Sequence, residues 1–252
     1  PVLQVLQELV PDYHKEAPLQ RPVEHHRIMM TSGERSLEID FGNRGFLAPP
    51  FNGFTVLRQE LDEWLANKAR AAGAVIVTGT VVDDLLYEGD RVVGVKARRA
   101  GGDVRGNVVI LADGVNSLLA QKAGLRGELG NHDIGLGVKE LLALPAKTIN
   151  ERFGLSGNAG AAYAVIGDFA RNIPGGGFIY TNKDSVSIGV VMQPEALARQ
   201  KITTDEVLEQ FKARPEIARE IRKVQLPHHV GFFTQLAATV LLDNAALMRE
   251  RV

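Results

Sequence analysis

The sequence predicts an α/β protein of mixed α+β character, and three observations predict it. Residues 108–111 form an unbroken apolar run, VVIL, that ends in Ala112-Asp113-Gly114. Such a run ending in turn residues predicts a buried parallel strand. Ahead of it, an apolar repeat at helical spacing over 57–72 is followed by short β-type runs at 74–78, 81–87 and 91–98. That order predicts a helix, a strand and a small antiparallel meander. Beyond it, β-type runs with turn signals at 129–200 predict a second, mixed β-sheet.

Composition bounds the function. The chain has 252 residues, 45% hydrophobic and 23% charged, enough for one large domain or two interlocked ones. A net charge of −1 gives no reason to expect a nucleic-acid partner. There is no Cys, which excludes disulfides and any Cys-ligated zinc or iron–sulfur cluster within the chain. No stretch of about 18 residues is continuously apolar, so no membrane span is predicted. The opening, PVLQVLQELV, has neither a basic region nor a small-residue cleavage site and is not expected to be a signal peptide. It lacks an initiator Met and reads as the middle of a longer sequence.

In chain order, Leu3, Val5, Leu6, Leu9 and Val10 predict a short amphipathic helix over 2–10, stopped by Pro11. Pro18 and Pro22 predict a loop. Alternation in 23–31 and 35–41 around Ser32-Gly33-Glu34 predicts a hairpin. His14, His25 and His26 suggest a metal, but adjacent histidines on a strand point to opposite faces and chelate poorly. A loop is expected at 42–53 and a short strand at 55–57. Leu57, Leu61, Trp64, Leu65, Lys68, Ala69 and Ala72 give the next helix one continuous face, and Gly73 ends it.

Three stretches carry candidate chemistry. Arg58 opens its helix, where a cation opposes the helix dipole. A facing phosphate would explain it, and so would simple solvation. Asp113 and Gly114 stand at the carboxyl end of a predicted strand, where ligands gather in open α/β sheets. Asp113 offers acceptors for sugar hydroxyls and Gly114 permits close backbone approach. An ordinary strand-to-helix turn before the helical stretch from Leu118 is the alternative. Gly175-Gly176-Gly177 is either a close-approach backbone or a turn before a strand at 178–181.

Beyond those residues the likeness is to a family. The segment LRQELDEWL at 57–65, Gly73-Ala74, Thr80-Val81, Val93-Gly94-Val95 and ADGVNS at 112–117 resemble the middle of a two-dinucleotide-fold flavoprotein. The resemblance is to electron-transfer-flavoprotein–quinone oxidoreductases, and within them to FixC-type dehydrogenases. It continues through PDYHKEAP at 11–18, Val138-Lys139-Glu140, Glu151-Arg152-Phe153 and GGGFIYTNKDSVS at 175–187, and covers roughly 1–222.

The resemblance implies FAD as cofactor, with no iron–sulfur cluster in this chain. It places Arg58 near the FAD phosphates, the Val81 backbone at the adenine, and Asp113 and Gly114 beside the ribose and diphosphate. It places the main chain of Gly175 and Gly176 at a quinone. Its implied partners are an electron-transfer flavoprotein, a quinone and a ferredoxin-like protein. The implied location is cytoplasmic, or peripheral at the inner face of the membrane. No catalytic side chain is assigned, which suits a reaction carried by a flavin.

Two family motifs are missing from the sequence: the early G-x-G-x-x-G turn that seats the diphosphate and the later Gly-Asp motif over the ribitol. The expected organisation is therefore a central fragment. Residues 1–54 supply a helix and a hairpin to the substrate domain, 55–128 are part of an incomplete FAD-binding Rossmann-like domain, 129–223 are the quinone-side substrate domain, and 224–252 are a divergent tail. Strands are expected at 134–142, 161–166, 177–181 and 185–192. A helix capped by Thr203 or Thr204 is expected to run to about 212, and another from Pro215 to about 223. A prenyl-chain reductase or aromatic hydroxylase of the same superfamily is the second reading. A non-enzymatic remnant without FAD is the third.

Overall fold

The apolar spacing at the start of the chain produces a helix, α1 (Val2–Leu9), and a short turn of helix, α2 (Tyr13–Glu16), follows Pro11. The structure, a computed structural model, describes residues 2–98 and 101–221. Those residues fall into two compact units, one built from 2–65 and 131–221 and the other from 66–98 and 101–130. The expected end of the last helix near 223 and the tail at 224–252 lie outside the described residues.

In the first unit, β1 (Leu19–Ser32) turns at Gly33-Glu34 into β2 (Arg35–Gly42), with Ser32 opposite Arg35. The predicted loop at Pro18 and Pro22 is thus corrected. Pro22 lies inside β1, at an irregularity in its pairing with β3 (Phe54–Val56), where a missing N–H does least damage. The helix α3 (Arg58–Ala71) follows and carries the chain into the second unit, where Gly73, at φ +95°, closes it in a conformation that side chains resist. Leu6, Tyr13 and Leu19 form a small core against which Phe54, Val56 and Trp64 pack.

In the second unit, β4 (Val82–Glu88), β5 (Arg91–Ala97) and β6 (Asp103–Arg105) make an antiparallel meander, and α4 (Leu118–Lys122) follows. Two expectations fail here. Residues 74–78 and 108–111 join no ladder among the described residues. Val75 is 90% exposed and Ile110 is 83% exposed, so neither run is buried. The physical reason is that a hairpin-linked meander pairs locally, whereas a parallel strand needs a distant partner. The run at 104–111 accordingly stops being a strand after Arg105.

Back in the first unit come β7 (Leu136–Ala143), α5 (Ala146–Phe153), β8 (Gly160–Gly167), β9 (Gly175–Thr181) and β10 (Ser185–Met192). The helices α6 (Pro194–Gln200), α7 (Thr204–Ala213) and α8 (Pro215–Ile221) complete it. Thr203 closes a capping box with Glu206 at the start of α7. Sequence spacing leaves α5 and α6 unassigned, because both are two-turn helices with few apolar repeats.

The sheet order is β2-β1-β8-β9-β10-β7, with β3 beside β1. The pair β1–β8 is parallel and the other pairs are antiparallel. One face of this mixed sheet carries the main core. Ile149 and Phe153 of α5, Val207, Leu208 and Phe211 of α7 and Ile217 of α8 pack on Val165, Ile179, Val186, Ile188 and Val190.

The two unpaired runs give a direct test. Hydrogen exchange should be fast at the amides of 75–77 and 108–111 and strongly slowed in β10, because protection follows hydrogen bonding and burial. Comparable protection in all three segments would contradict this fold.

Candidate functional site

The sequence-predicted residues for FAD lie at separate points of the chain. Arg58, at the first position of α3, is largely exposed, and its Nε and Nη2 donate to the Asp62 carboxylate at 2.9 and 3.0 Å. That bidentate pair one turn along, whose hydrogen bonds raise the Arg58 pKa, offsets the unfavourable dipole. Val81 precedes β4, and its carbonyl accepts from the Arg98 N–H at 2.8 Å. Asp113 is exposed and its Oδ1 accepts from the Ser117 hydroxyl at 2.7 Å. Ser117 stands at the N-cap position of α4 but spends its side chain on Asp113. Gly114 has φ +80°, and space is open where a side chain would stand.

The glycines at 175–177 occupy neither a turn nor a loop. They are the first three residues of β9, paired with Met192, Val191 and Val190 of β10. Close packing accounts for their lack of side chains. A methyl group on Gly175, whose φ is +149°, would run into the Val191 carbonyl. On Gly176 it would stand 2.8 Å from the Val165 carbonyl oxygen, and on Gly177 2.6 Å from the Phe211 ring. The turn reading is therefore corrected, because the strand begins at Gly175 and takes in all three glycines.

Strand alternation divides the sheet into a core face and an open face. In-register pairing aligns the open-face residues in rows across the strands. One row runs Phe41, His26, Ala162, Tyr180, Ser187, Leu141. The next runs Ile39, Ile28, Ala164, Phe178, Gly189, Lys139. A third holds Leu37, Met30 and Ile166, with Gly176 and Val191 on its far side. Ile28, Ile39, Phe41, Ile166 and Tyr180 are all exposed. A contiguous apolar surface of this kind marks an interaction or ligand site more often than scattered exposed residues do.

Within that face lies a pocket of about 340 Å³, floored by Ala162 and Ala164 and walled by Ile28, Ile39, Phe41 and Tyr180. Its size is at the low end of small-molecule sites. Phe178 and Tyr180 stack with ring centroids 5.0 Å apart and planes at 23°. Phe178 lies over Gly189, where any side chain would displace it. His26 Nε2 pairs with the Asn52 Nδ2 amide at 3.1 Å, and Phe46 packs edge-on against the imidazole. The sequence reading missed this site. Its signal was present in Ile28, Met30, Leu37, Ile39 and Phe41, but the register that gathers them with Ala162 and Tyr180 is tertiary.

On the core side, Arg27 holds the same strands. Its guanidinium donates to Asp40 and to the Phe153 carbonyl, both at 3.0 Å, and to the Tyr163 hydroxyl. Burial pushes the Tyr163 phenol up to about 12 against the opposing pull of Arg27. His25 bonds Asp40 at 3.0 Å. No group of three metal-ligating side chains converges among the described residues. The site offers a flat apolar surface with a few polar tips, suited to binding and orienting a ring.

No family model matches the chain. Protein FixC of Escherichia coli K12 is 37% identical over 213 residues, 84% of this chain and 49% of that protein. The probable electron transfer flavoprotein-quinone oxidoreductase YdiS of the same strain is 39% identical over the same length and the same shares. The chain thus spans about half the length of the curated relatives it matches. Among solved structures, the flavin-dependent brominase Bmp2 aligns at TM-score 0.61 and 16% identity, over 88% of this chain and 52% of that one. A geranylgeranyl bacteriochlorophyll reductase-like protein of Thermoplasma acidophilum aligns at 0.59 and 19%, over 86% and 51%. These two likenesses show a fold shared with a flavin-dependent brominase and with a reductase-like protein.

The glycine packing predicts the outcome of substitution. Gly177→Ala should destabilise the protein by about 1–3 kcal/mol, the usual cost of overpacking. The shift of the urea midpoint measures it. An unchanged midpoint would show that Phe211 does not need the bare backbone.

Proposed function

We propose that the chain is part of a FAD-dependent oxidoreductase of the FixC-type, electron-transfer-flavoprotein–quinone oxidoreductase family, whose relatives it matches over 84% of its own length and 49% of theirs. In this reading it helps pass electrons from an electron-transfer flavoprotein to a quinone or a ferredoxin-like acceptor. The identity of 37–39% with proteins so named, over 213 residues, is the observation that carries it. The apolar open face supports a flat, poorly charged acceptor.

The residues at the proposed cofactor positions fit FAD in part. Asp113 keeps Oδ2 for a ribose hydroxyl while Ser117 holds Oδ1 in place. The open space at Gly114 suits close passage of the diphosphate. The resemblance assigns Arg58 to the FAD phosphates, where it would supply countercharge, and the Val81 backbone to the adenine. FAD, when bound, supplies the redox chemistry, and the protein supplies position and electrostatics. On the acceptor side, the main chain of Gly175 and Gly176 approaches the quinone, with Gly176 on the open face. A prenyl-chain reductase is the second reading, favoured by the apolar length of that face across three rows. Donor-dependent quinone reduction by a full-length relative of this sequence separates the two.

Two outcomes are expected. The 252-residue chain, whose sequence has no G-x-G-x-x-G turn, should not retain FAD with native affinity. Absorbance between about 350 and 500 nm after desalting measures this, since bound flavin absorbs there, and a stoichiometric flavin band would contradict it. In a full-length FixC-type protein containing this sequence, Asp113→Ala should weaken FAD binding roughly tenfold to a hundredfold, the value of one hydrogen bond to a charged acceptor. Unchanged affinity in a normally folded variant would reduce Asp113 to a turn residue.

A further inference from the structure

We propose that Asn52 is a site of self-modification. It loses its side-chain amide to become aspartate or isoaspartate, and His26 gives the proton that the departing nitrogen needs. The proposal is independent of the electron-transfer reading and needs no cofactor.

The sequence holds one Asn-Gly dipeptide, Asn52-Gly53. A glycine after asparagine leaves the path from its backbone nitrogen to the asparagine Cγ free of any side chain. The pair lies in irregular chain just ahead of β3, with Asn52 exposed and Gly53 half-buried. The Gly53 N–H makes no hydrogen bond among the described residues, so none has to break before that nitrogen reacts. Two contacts tie the dipeptide to β1. The Val23 N–H donates to the Gly53 carbonyl at 2.9 Å, and the Asn52 side-chain amide meets His26 Nε2 at 3.1 Å. Both reacting groups are thus tethered to one strand, which lowers the entropy lost on closing a ring between them.

The imidazole suits the second step. His26 makes no other hydrogen bond and no ion pair among the described residues, and Phe46 packs edge-on against its ring. Neutral, the ring accepts the Asn52 N–H at Nε2; protonated, it donates from the same nitrogen. In ring closure the Gly53 nitrogen gives its proton to water and bonds to Asn52 Cγ. The Cγ–Nδ2 bond then breaks, the imidazolium protonates Nδ2, and that nitrogen leaves as ammonia. Water returns a proton to His26. Hydrolysis of the five-membered imide at one carbonyl gives aspartate, and at the other isoaspartate. Nothing is oxidised or reduced, and the net exchange is one water taken up for one ammonia released.

The product alters the pocket, because His26 lines it. A carboxylate replaces the amide beside the imidazole, and an opposite charge so close favours the imidazolium. One end of an apolar surface thereby gains an ion pair. Isoaspartate also adds a carbon to the main chain, which draws the Gly53 carbonyl out of line with the Val23 N–H.

The test ages the 252-residue chain in neutral phosphate buffer and digests samples with trypsin at intervals. Asn52 falls in the tryptic peptide 45–58, which holds no second Asn. Deamidation raises the mass of that peptide by about 1 Da, and enzymatic methylation of isoaspartate marks the second product. Asn107, also exposed but followed by Val108, is the internal control. Asn52 should convert at least about tenfold faster than Asn107, because only Asn52 precedes a glycine. Gly53→Ala should slow conversion roughly tenfold, and the fold should tolerate it, since space is open where the methyl group would stand. His26→Gln keeps a hydrogen-bonding side chain in place but has no proton to give at neutral pH. It should slow conversion by roughly tenfold, less than the effect of an evolved general acid, and added imidazole should restore part of the rate. Conversion of Asn52 no faster than that of Asn107 overturns the site. A wild-type rate in His26→Gln, or a slow one that imidazole leaves unchanged, overturns the proton transfer. Either failure leaves the flavin tests of the FixC-type reading standing, because those are read from FAD alone.

Discussion

The first unit depends on the parallel pairing of β1 with β8. That one ladder joins the N-terminal hairpin to strands more than a hundred residues away. Parallel pairing cannot be made by a local turn, so something else must hold its foot. The buried guanidinium of Arg21 does so. It donates to the Asn150 side chain on α5, to the Ala159 carbonyl just before β8, and to the Lys183 carbonyl in the β9–β10 turn. No carboxylate pairs with it among the described residues, and burial lowers the Arg21 pKa. Each acceptor Arg21 serves would otherwise be a polar group deprived of water. Thr55 extends the clamp, accepting from the Arg21 backbone N–H at 3.1 Å and donating to the Thr181 carbonyl at 2.8 Å.

Once that ladder is set, the rest of the sheet has little freedom. A slip of one residue would exchange its two faces. Met29, Val165, Ile179 and Ile188 would leave the helices, and Ile28, Ala164 and Phe178 would replace them. Gly177 further fixes the choice, since Phe211 needs a bare backbone beneath its ring. The clasp at the far end of β1 acts in the same sense. Asp168 accepts from the Gly33 N–H at 2.8 Å and pairs with Arg214, which donates to the Gly33 carbonyl at 2.6 Å. The Gly33 N–H, with help from Arg214 and Thr31, holds the Asp168 carboxyl below its usual range. The open face is thus specified by what the core face demands.

The second unit shows the opposite case. Its strands pair with their neighbours in sequence, through the Gly89-Asp90 turn and a salt bridge between Arg98 and Asp83, so local sequence suffices to form it. Residues 74–78 and 108–111 have strand composition but no ladder among the described residues. Composition gives a segment the capacity to pair, while the partner decides whether a strand forms. Asp113 and Gly114 follow one of these runs, and their turn is set locally by the Ser117 hydrogen bond.

The sequence by itself determined the elements whose causes are local. Apolar spacing gave α1 and α3, alternation around Ser32-Gly33-Glu34 gave the β1–β2 hairpin, and the Thr203–Glu206 box gave the start of α7. The Asp113-Gly114 turn was legible for the same reason, and so was the likeness to FixC-type flavoproteins, which rests on ordered motifs. Tertiary structure alone decided three things. It put Gly175–Gly177 into a strand, because the ladder to β10 and the Phe211 ring reach them from distant parts of the chain. It withheld strands from 74–78 and 108–111, because pairing needs a partner that spacing cannot reveal. It also brought His26, Ala162 and Tyr180 into one row, because register is a relation between strands and no single strand carries it.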